Sequence, residues 1–372
     1  MKSFSSALLG LFASLALLAP RAAAQEPSID KLLSKLPPPE KIVKRQVVQT
    51  GGMSDPVMRD PLIEKILSAI KSGSPVRATT FANELTTRYP RSAAAFCVRG
   101  LIASGTKNYA EATAAFRTAI SIRPNFASAH FGLAEVEGSQ GHYAAAIPHL
   151  QRYVQIDPSA VDGWYALSDC AVHTGRKGDA VTYGRRAAAL SGSNVFVWIQ
   201  LARAENAAGN SEATLRAISK AAELTPESAD ILAVVGLSCI NLNKIPQAIP
   251  PLTRAVRLAP NNYLLEAQLG FCLQSVGQMD AGIAHLKEGA RLAPNYPPVW
   301  EHLGLAYQKK GLHRDAIKAF ERAAKIMPRY RPTWQHLAEE YRAVGDAAAA
   351  ENAAARARTL PQHSVMPQPA RG

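Results

Sequence analysis

Apolar residues along most of this chain recur at i, i+3, i+4 and i+7, the spacing of one buried helix face. The apolar stretches are short and come in pairs, with glycine or asparagine inside each pair and proline after it. Pro90, Pro124, Pro158, Pro226, Pro260, Pro294 and Pro328 stand 34 residues apart, or twice 34 between Pro158 and Pro226. Trp164, Trp198, Trp300 and Trp334 share one register of the same period. A fixed period of this length predicts repeated helix–turn–helix units. In that register the chain divides into eight full units: 93–126, 127–160, 161–194, 195–228, 229–262, 263–296, 297–330 and 331–364. A ninth, degenerate unit covers 59–92.

Positions within a unit, numbered 1 to 34, have steric causes. Position 8 is small throughout: Gly100, Ala134, Ser168, Ala202, Gly236, Gly270, Gly304 and Ala338. Position 20 is Ala, Gly or Thr, and position 27 is Ala or Gly except at Tyr153. Two antiparallel helices approach closely only where neither carries a bulky side chain. Position 15 carries Gly141, Gly175, Gly209, Gly277, Gly311, Gly345 and Asn243, residue types that tolerate the left-handed conformation ending a helix. Large residues at positions 4, 7 and 24 fill the layer between helices, and proline at position 32 stops the second helix.

The series Trp300, Leu303, Gly304, Tyr307, Ala316, Phe320, Ala323 and Pro328 resembles the tetratricopeptide repeat, and the resemblance extends from residue 59 to about 360. Departures are local: Gly192 replaces the proline, Glu266 the position-4 aromatic and Arg99 the position-7 leucine. The resemblance implies an all-α, right-handed superhelical solenoid of stacked antiparallel helix pairs, each repeat covering its neighbour's apolar face.

The ends of the array differ. Asp60-Pro61 and Ser74-Pro75 each open a helix in the degenerate unit 59–92, which reads as the N-terminal cap. In the last unit the second helix is thinned to alanine, from Ala347 to Ala350 and Ala353 to Ala355, which keeps helicity on a face that no repeat follows. Residues 365–372 are expected to be a disordered tail. At the other end, Lys2, an apolar stretch from Phe4 to Leu18 and Ala22-Ala23-Ala24 form a signal peptide over 1–24, with cleavage expected before Gln25. An uncleaved membrane anchor is the alternative. No cysteine follows the stretch, against a lipoprotein. Residues 25–58 read as a flexible linker in which Ile29, Leu32, Leu33 and Leu36 recur at helical spacing before three prolines. Two readings stay open for it, a solvated leader or a segment that docks on the solenoid or a partner.

The signal peptide implies an exported chain, and the alanine- and arginine-rich composition, of a bacterial kind, makes the expected destination periplasmic or secreted. The net charge is +13, yet Arg152, Arg186, Lys220, Arg254, Arg322 and Arg356 all hold position 26, near the end of the second helix. Cations there complement the helix dipole, so the excess is a habit of the fold and no nucleic-acid groove is implied. Cys97, Cys170, Cys239 and Cys272 show no metal-type spacing and read as buried thiols, with Cys239 and Cys272 the pair near enough to question. His302 and His336 share position 6 near Glu301, Glu339 and Glu340, but helices about 10 Å apart make joint metal ligation strained. Both are expected at the surface. No metal, cofactor or catalytic motif is predicted, and the loops are too short for a catalytic apparatus.

In proteins that this chain resembles, ligands lie in the concave groove lined by the first helices, chiefly at positions 2, 5, 9 and 12. There the chain carries Phe131, Tyr165, Asp169, Phe196, Arg203, Leu237 and Phe271, with Ile240, Leu264 and Gln274 farther on. Such aromatic and apolar anchors suit a peptide or protein partner, although some of them could instead pack against neighbouring helices. The Lys/Asn and Lys/Arg pattern that clamps acidic chaperone tails is missing. The expectation is a non-enzymatic interaction scaffold of the cell envelope. The alternative is an accessory subunit of a separate enzyme such as a glycosyltransferase or protease.

Overall fold

The structure is a computed structural model that describes residues 56–361. The expected signal peptide 1–24, most of the linker and the tail 365–372 lie outside the described residues. All regular structure among the described residues is helical. They form two compact units, residues 56–224 and residues 225–361.

In the first unit a 3-10 turn, Pro56–Arg59, precedes ten helices. These are α1 (Pro61–Lys71), α2 (Pro75–Arg88), α3 (Ala93–Gly105), α4 (Tyr109–Ile122) and α5 (Ala127–Ser139). Then follow α6 (Tyr143–Ile156), α7 (Val161–His173), α8 (Lys177–Leu190), α9 (Val195–Ala207) and α10 (Ser211–Leu224). The second unit holds α11 (Ala229–Asn241), α12 (Ile245–Leu258), α13 (Tyr263–Ser275) and α14 (Met279–Leu292). It ends with α15 (Pro297–Lys309), α16 (His313–Ile326), α17 (Arg331–Ala343) and α18 (Ala347–Thr359). Within each unit every helix packs on the next, the all-α solenoid arrangement of stacked helix pairs.

Each repeat is built the same way. A side-chain cap opens many of the first helices: Ser92, Asn194, Ser228 and Asn262 accept from backbone N–H groups of α3, α9, α11 and α13. The cap satisfies a donor that the first turn leaves orphaned. The turn inside each pair passes through a left-handed residue at position 15, with φ of 70° at Gly311 and 81° at Gly345. Gly73 (φ 65°) holds the same place in the degenerate unit, so its register is the register of the rest. Lys107 (φ 60°) holds it in the unit 93–126 without glycine's freedom.

Small position 8 faces large position 24. A Cβ on Gly304 would lie 2.5 Å from the Phe320 ring, and one on Gly236 2.5 Å from Leu252. Where position 24 is itself small, at Gly184, position 8 is Ser168, whose hydroxyl donates to the Ala180 carbonyl at 2.9 Å. The tryptophans add a polar link to this packing. The indole N–H of Trp164, Trp300 and Trp334 donates to the carbonyls of Pro158, Pro294 and Pro328, each at 3.0 Å. Trp198 reaches the Gly192 carbonyl at 2.8 Å, which explains why that unit tolerates loss of its proline. The bond needs the carbonyl and not the ring.

The fold begins earlier than the linker expected over 25–58. Val57 is 1% exposed and belongs to the first hydrophobic core, because the 3-10 turn folds it against the opening repeats. Asp60 then anchors the entrance. Its carboxylate accepts from Leu62 N at 2.8 Å, Arg88 Nη1 at 2.9 and 2.7 Å, and the Tyr89 hydroxyl at 2.9 Å. Burial raises its pKa, but these donors outweigh burial and hold the group below its ordinary value of 3.8.

Position-26 arginines do more than answer the helix dipole. Arg152 donates to Asn125, Arg254 to Glu227 at 3.3 Å, and Arg322 to Asn295 at 3.3 Å. Each partner is at position 33 of the preceding repeat, 27 residues back, so the cation ties two repeats together. All four cysteines are buried, and none is in a disulfide.

Candidate partner-binding surface

Of the seven residues expected to meet a partner, Phe131, Tyr165, Asp169, Phe196 and Arg203 lie in the first unit, and Leu237 and Phe271 in the second. Phe131 is 6% exposed, with its ring 4.8 Å from that of Tyr153. It is a core residue, since Tyr153, the bulky exception at position 27, needs a neighbour on that side. Phe196 is half-buried at the start of α9. Burial raises the Tyr165 phenol well above its usual pKa, Asp169 adds to the rise and Arg203 opposes it, so the ring is packed more deeply than an open groove position would be.

Arg203 does not stand free for a partner carboxylate. Its Nη1 donates to Asp169 at 2.6 Å, and its Nη2 lies 3.1 Å from His173 Nε2. His173 in turn stacks on Tyr143, with centroids 4.0 Å apart and planes 11° from parallel. Asp169 and Arg203 both occupy position 9, one repeat apart, and adjacent first helices bring equal positions side by side. A partner carboxylate therefore competes with one already in place.

In the second unit, Leu237 and Phe271 border one cleft. Together with Ile240, Asn241, Leu264, Ala267, Gln268, Tyr296, Pro298 and His302 they line this hollow of about 70 Å³ across α11, α13 and the start of α15. No Lys, Arg, Asp or Glu is in that lining. Phe271 lies 5.1 Å from the His302 ring, and Tyr296 meets Tyr263 edge-on at 5.0 Å. Sequence reasoning placed His302 at the surface, and the structure corrects this: it is 8% exposed. Burial lowers its pKa to about 4, against an opposing pull from Glu301, so the imidazole is neutral at neutral pH. His336, at the same position one repeat later, is instead partly exposed and pairs through Nδ1 with Glu301 at 2.7 Å. That carboxylate also accepts from the Thr333 hydroxyl at 2.7 Å. The two histidines face different neighbours, and no group that could hold a metal forms among the described residues.

Gln268, Tyr296 and His302 are the residues that sequence reasoning did not assign to the site. One signal pointed to them. Position 6 is apolar or small at Val98, Gly132, Ala166 and Val234, but polar at Gln200, Gln268, His302 and His336. Polar residues on a stripe that elsewhere packs against helices need a local reason.

A second cleft, about 560 Å³, lies on the first unit between Arg185, Trp198, Leu201, Arg216 and Lys220. Arg185 is bound to the buried Glu205 at 2.7 Å, and Lys220 to Glu223 at 2.6 Å.

The repeat geometry has a counterpart among known families. Residues 97–161 and 131–195 match one tetratricopeptide-repeat family model, and residues 297–330 match a second. The chain is a tetratricopeptide-repeat protein. No curated protein matches it. Among solved structures it is similar to a tetratricopeptide repeat protein from Parabacteroides merdae ATCC 43184, with 15% identity over 66% of this chain and 97% of that one, TM-score 0.45. MamA from Desulfovibrio magneticus RS-1 shows 20% identity over 45% of this chain and 94% of its own, TM-score 0.43. YrrB, described as a repeat protein with an unusual peptide-binding site, shows 20% identity over 59% and 96%, TM-score 0.35.

Proposed function

We propose that this protein is an exported, non-enzymatic scaffold that holds a peptide or protein partner on the face formed by its first helices. Repeat arrays of this kind are generally interaction scaffolds, because every loop is a short turn and the repeated surface is the only extended feature. The observation that carries the reading is the cleft of Leu237, Leu264 and Phe271, where large apolar side chains line a hollow that the repeat packing does not fill. The N-terminal segment supports a periplasmic or secreted location, and no helix among the described residues is long and apolar enough to cross a membrane.

The test compares two faces. Phe196→Ala and Phe271→Ala should each reduce recovery of a partner from envelope extract, while Arg152→Ala with Arg254→Ala should leave it near the wild-type level. Circular dichroism melts check that each variant is folded. Loss of the partner in the arginine variant alone would move the binding surface to the second helices and refute the assignment. For location, the exported chain should begin at Gln25 on N-terminal sequencing; a chain beginning at Met1 would refute the signal peptide.

A further inference from the structure

We propose that the cleft between α11, α13 and α15 reads one feature of the partner: an aromatic side chain with a hydrogen-donating tip, tyrosine or tryptophan. The inference rests on the scaffold reading and adds what the cleft selects.

Three observations carry it. The cleft is small. About 70 Å³ is far below the roughly 300–1,000 Å³ of small-molecule sites, so it takes the end of one side chain and not a free ligand. The cleft is uncharged and partly aromatic. Leu237, Leu264, Phe271 and Tyr296 form its walls, and the absence of any charged lining residue disfavours acidic tails and phosphorylated side chains, whose desolvation nothing there would offset. The cleft is also polar in a specific way. Gln268 Oε1 and His302 Nε2 are buried and have no hydrogen-bond partner within the protein.

Buried polar atoms are almost always paired, so two unpaired ones just beneath one hollow, on residues that line it, mark a complement that reaches them as the side chains over them turn aside. The amide oxygen of Gln268 only accepts, and it therefore calls for a donor. His302 is 8% exposed, and its neutral ring offers Nε2 as acceptor or donor according to tautomer. Leucine, isoleucine or phenylalanine would fill the walls but leave Gln268 unsatisfied. A tyrosine hydroxyl or a tryptophan indole N–H fills the walls and donates. Sites built to hydrogen-bond a donor discriminate strongly against the analogue that lacks it, because the site's own polar group is then left unpaired.

The experiment titrates the full chain, carrying ¹³C-labelled leucine methyls, with N-acetyl-tyrosinamide, N-acetyl-tryptophanamide and N-acetyl-phenylalaninamide. The Leu237 and Leu264 methyl signals should shift with the first two at roughly tenfold lower concentration than with the third. Gln268→Met removes the acceptor at nearly constant volume, and His302→Phe removes the second polar atom; Gln268→Met should erase the preference while phenylalaninamide still binds. Equal affinities for the tyrosine and phenylalanine probes in the wild type would overturn the proposal without recourse to any variant. Panning a random peptide library on the same chain separates the two levels of the argument. Selected peptides that Phe271→Ala fails to bind, enriched in tyrosine or tryptophan, support both. Peptides lost with Phe271→Ala but enriched in leucine or phenylalanine sink this inference and leave the scaffold reading standing. If no selected peptide depends on Phe271, the scaffold reading loses this surface, and the amide titration still decides what the cleft prefers.

Discussion

Gly304→Ala, alone and with Phe320→Leu, measures how strictly position 8 is coupled to position 24. A Cβ on Gly304 would sit 2.5 Å from Phe320 Cε1, 2.6 Å from Cδ1 and 2.7 Å from Cζ, against an ordinary contact of 3.4 Å or more. Phe320 is fully buried, so the ring has nowhere to retreat without moving a helix. Overlap with three atoms of a ring that cannot retreat belongs at the upper end of the overpacking range, about 2–3 kcal/mol. Replacing a mid-helix glycine by alanine returns about 1 kcal/mol of helix propensity. The net expectation is a loss of about 1–2 kcal/mol. Phe320→Leu alone should cost about 1 kcal/mol through lost contact. The pair together should cost little more than Phe320→Leu, because Ala134 and Leu150 already occupy the same two positions and are 3% and 2% exposed. That is a coupling of about 1–2 kcal/mol. Urea melts followed by Trp300 and Trp334 fluorescence report on these repeats locally, which matters because repeat arrays need not unfold as one. Additivity within about 0.5 kcal/mol would show that the helices adjust independently and that the 8/24 complementarity does not hold the pair together.

Lys107→Gly should stabilise the first unit by about 0.5–1 kcal/mol in urea melts followed by Trp164 and Trp198 fluorescence, since glycine relieves the left-handed strain at φ 60°. Trp300→Phe should cost about 1 kcal/mol by removing the indole donor to the Pro294 carbonyl, and Trp198→Phe a similar amount despite Gly192. Burial pushes the Cys170 and Cys272 thiols up to about 12, so native protein should resist alkylation at pH 8 and show four reactive thiols once unfolded without reductant. Burial alone lowers His336, but its bond to Glu301, helped by Glu339 and Glu340, leaves it above 6.5. Its contribution is therefore complete below pH 6.5 and is lost as pH rises through the folded value; Glu301→Gln should flatten that slope in melts taken from pH 6 to 8.

The fold was legible because its causes repeat. Proline, glycine and the small residues answer the same steric demand in unit after unit, and each unit confirms the next. Tryptophan was read as packing alone, since a hydrogen bond to a carbonyl leaves no trace in residue type at the accepting end. Gly192 would have been the hint: only the backbone of that position is used. The candidate surface was less legible. Arg203 looked available because its acceptor is a whole repeat away in sequence, although equal positions one period apart are neighbours in a stack. His302 was misplaced by the general habit of histidine to sit at surfaces. Nothing in its own residue type distinguishes it from His336; their neighbours Phe271 and Glu301 do.

Two kinds of regularity must be removed before a repeat surface can speak of a partner. The first is the shared consensus, which packing explains. The second is pairing between repeats at spacings near 34. Asp169 with Arg203 and Glu301 with His336 are unlike their counterparts in other units, yet each is answered within the chain. Difference from the consensus is thus weak evidence of a partner until the neighbouring repeat has been searched for the answering group. Glu266 makes the point at position 4, where it replaces an aromatic and lies 2.7 Å from His285. Gln268 and His302 survive both removals. Like Gln200 and His336 they are polar at position 6, which is apolar or small in the other four units, and no group in the protein answers Gln268 Oε1 or His302 Nε2. Both residues line the same hollow as Phe271, so the unanswered chemistry lies beside the unfilled apolar surface. That coincidence is what separates this cleft from the larger one beside Trp198, whose buried Glu205 is bound by Arg185 and Asn210 and asks for nothing from outside.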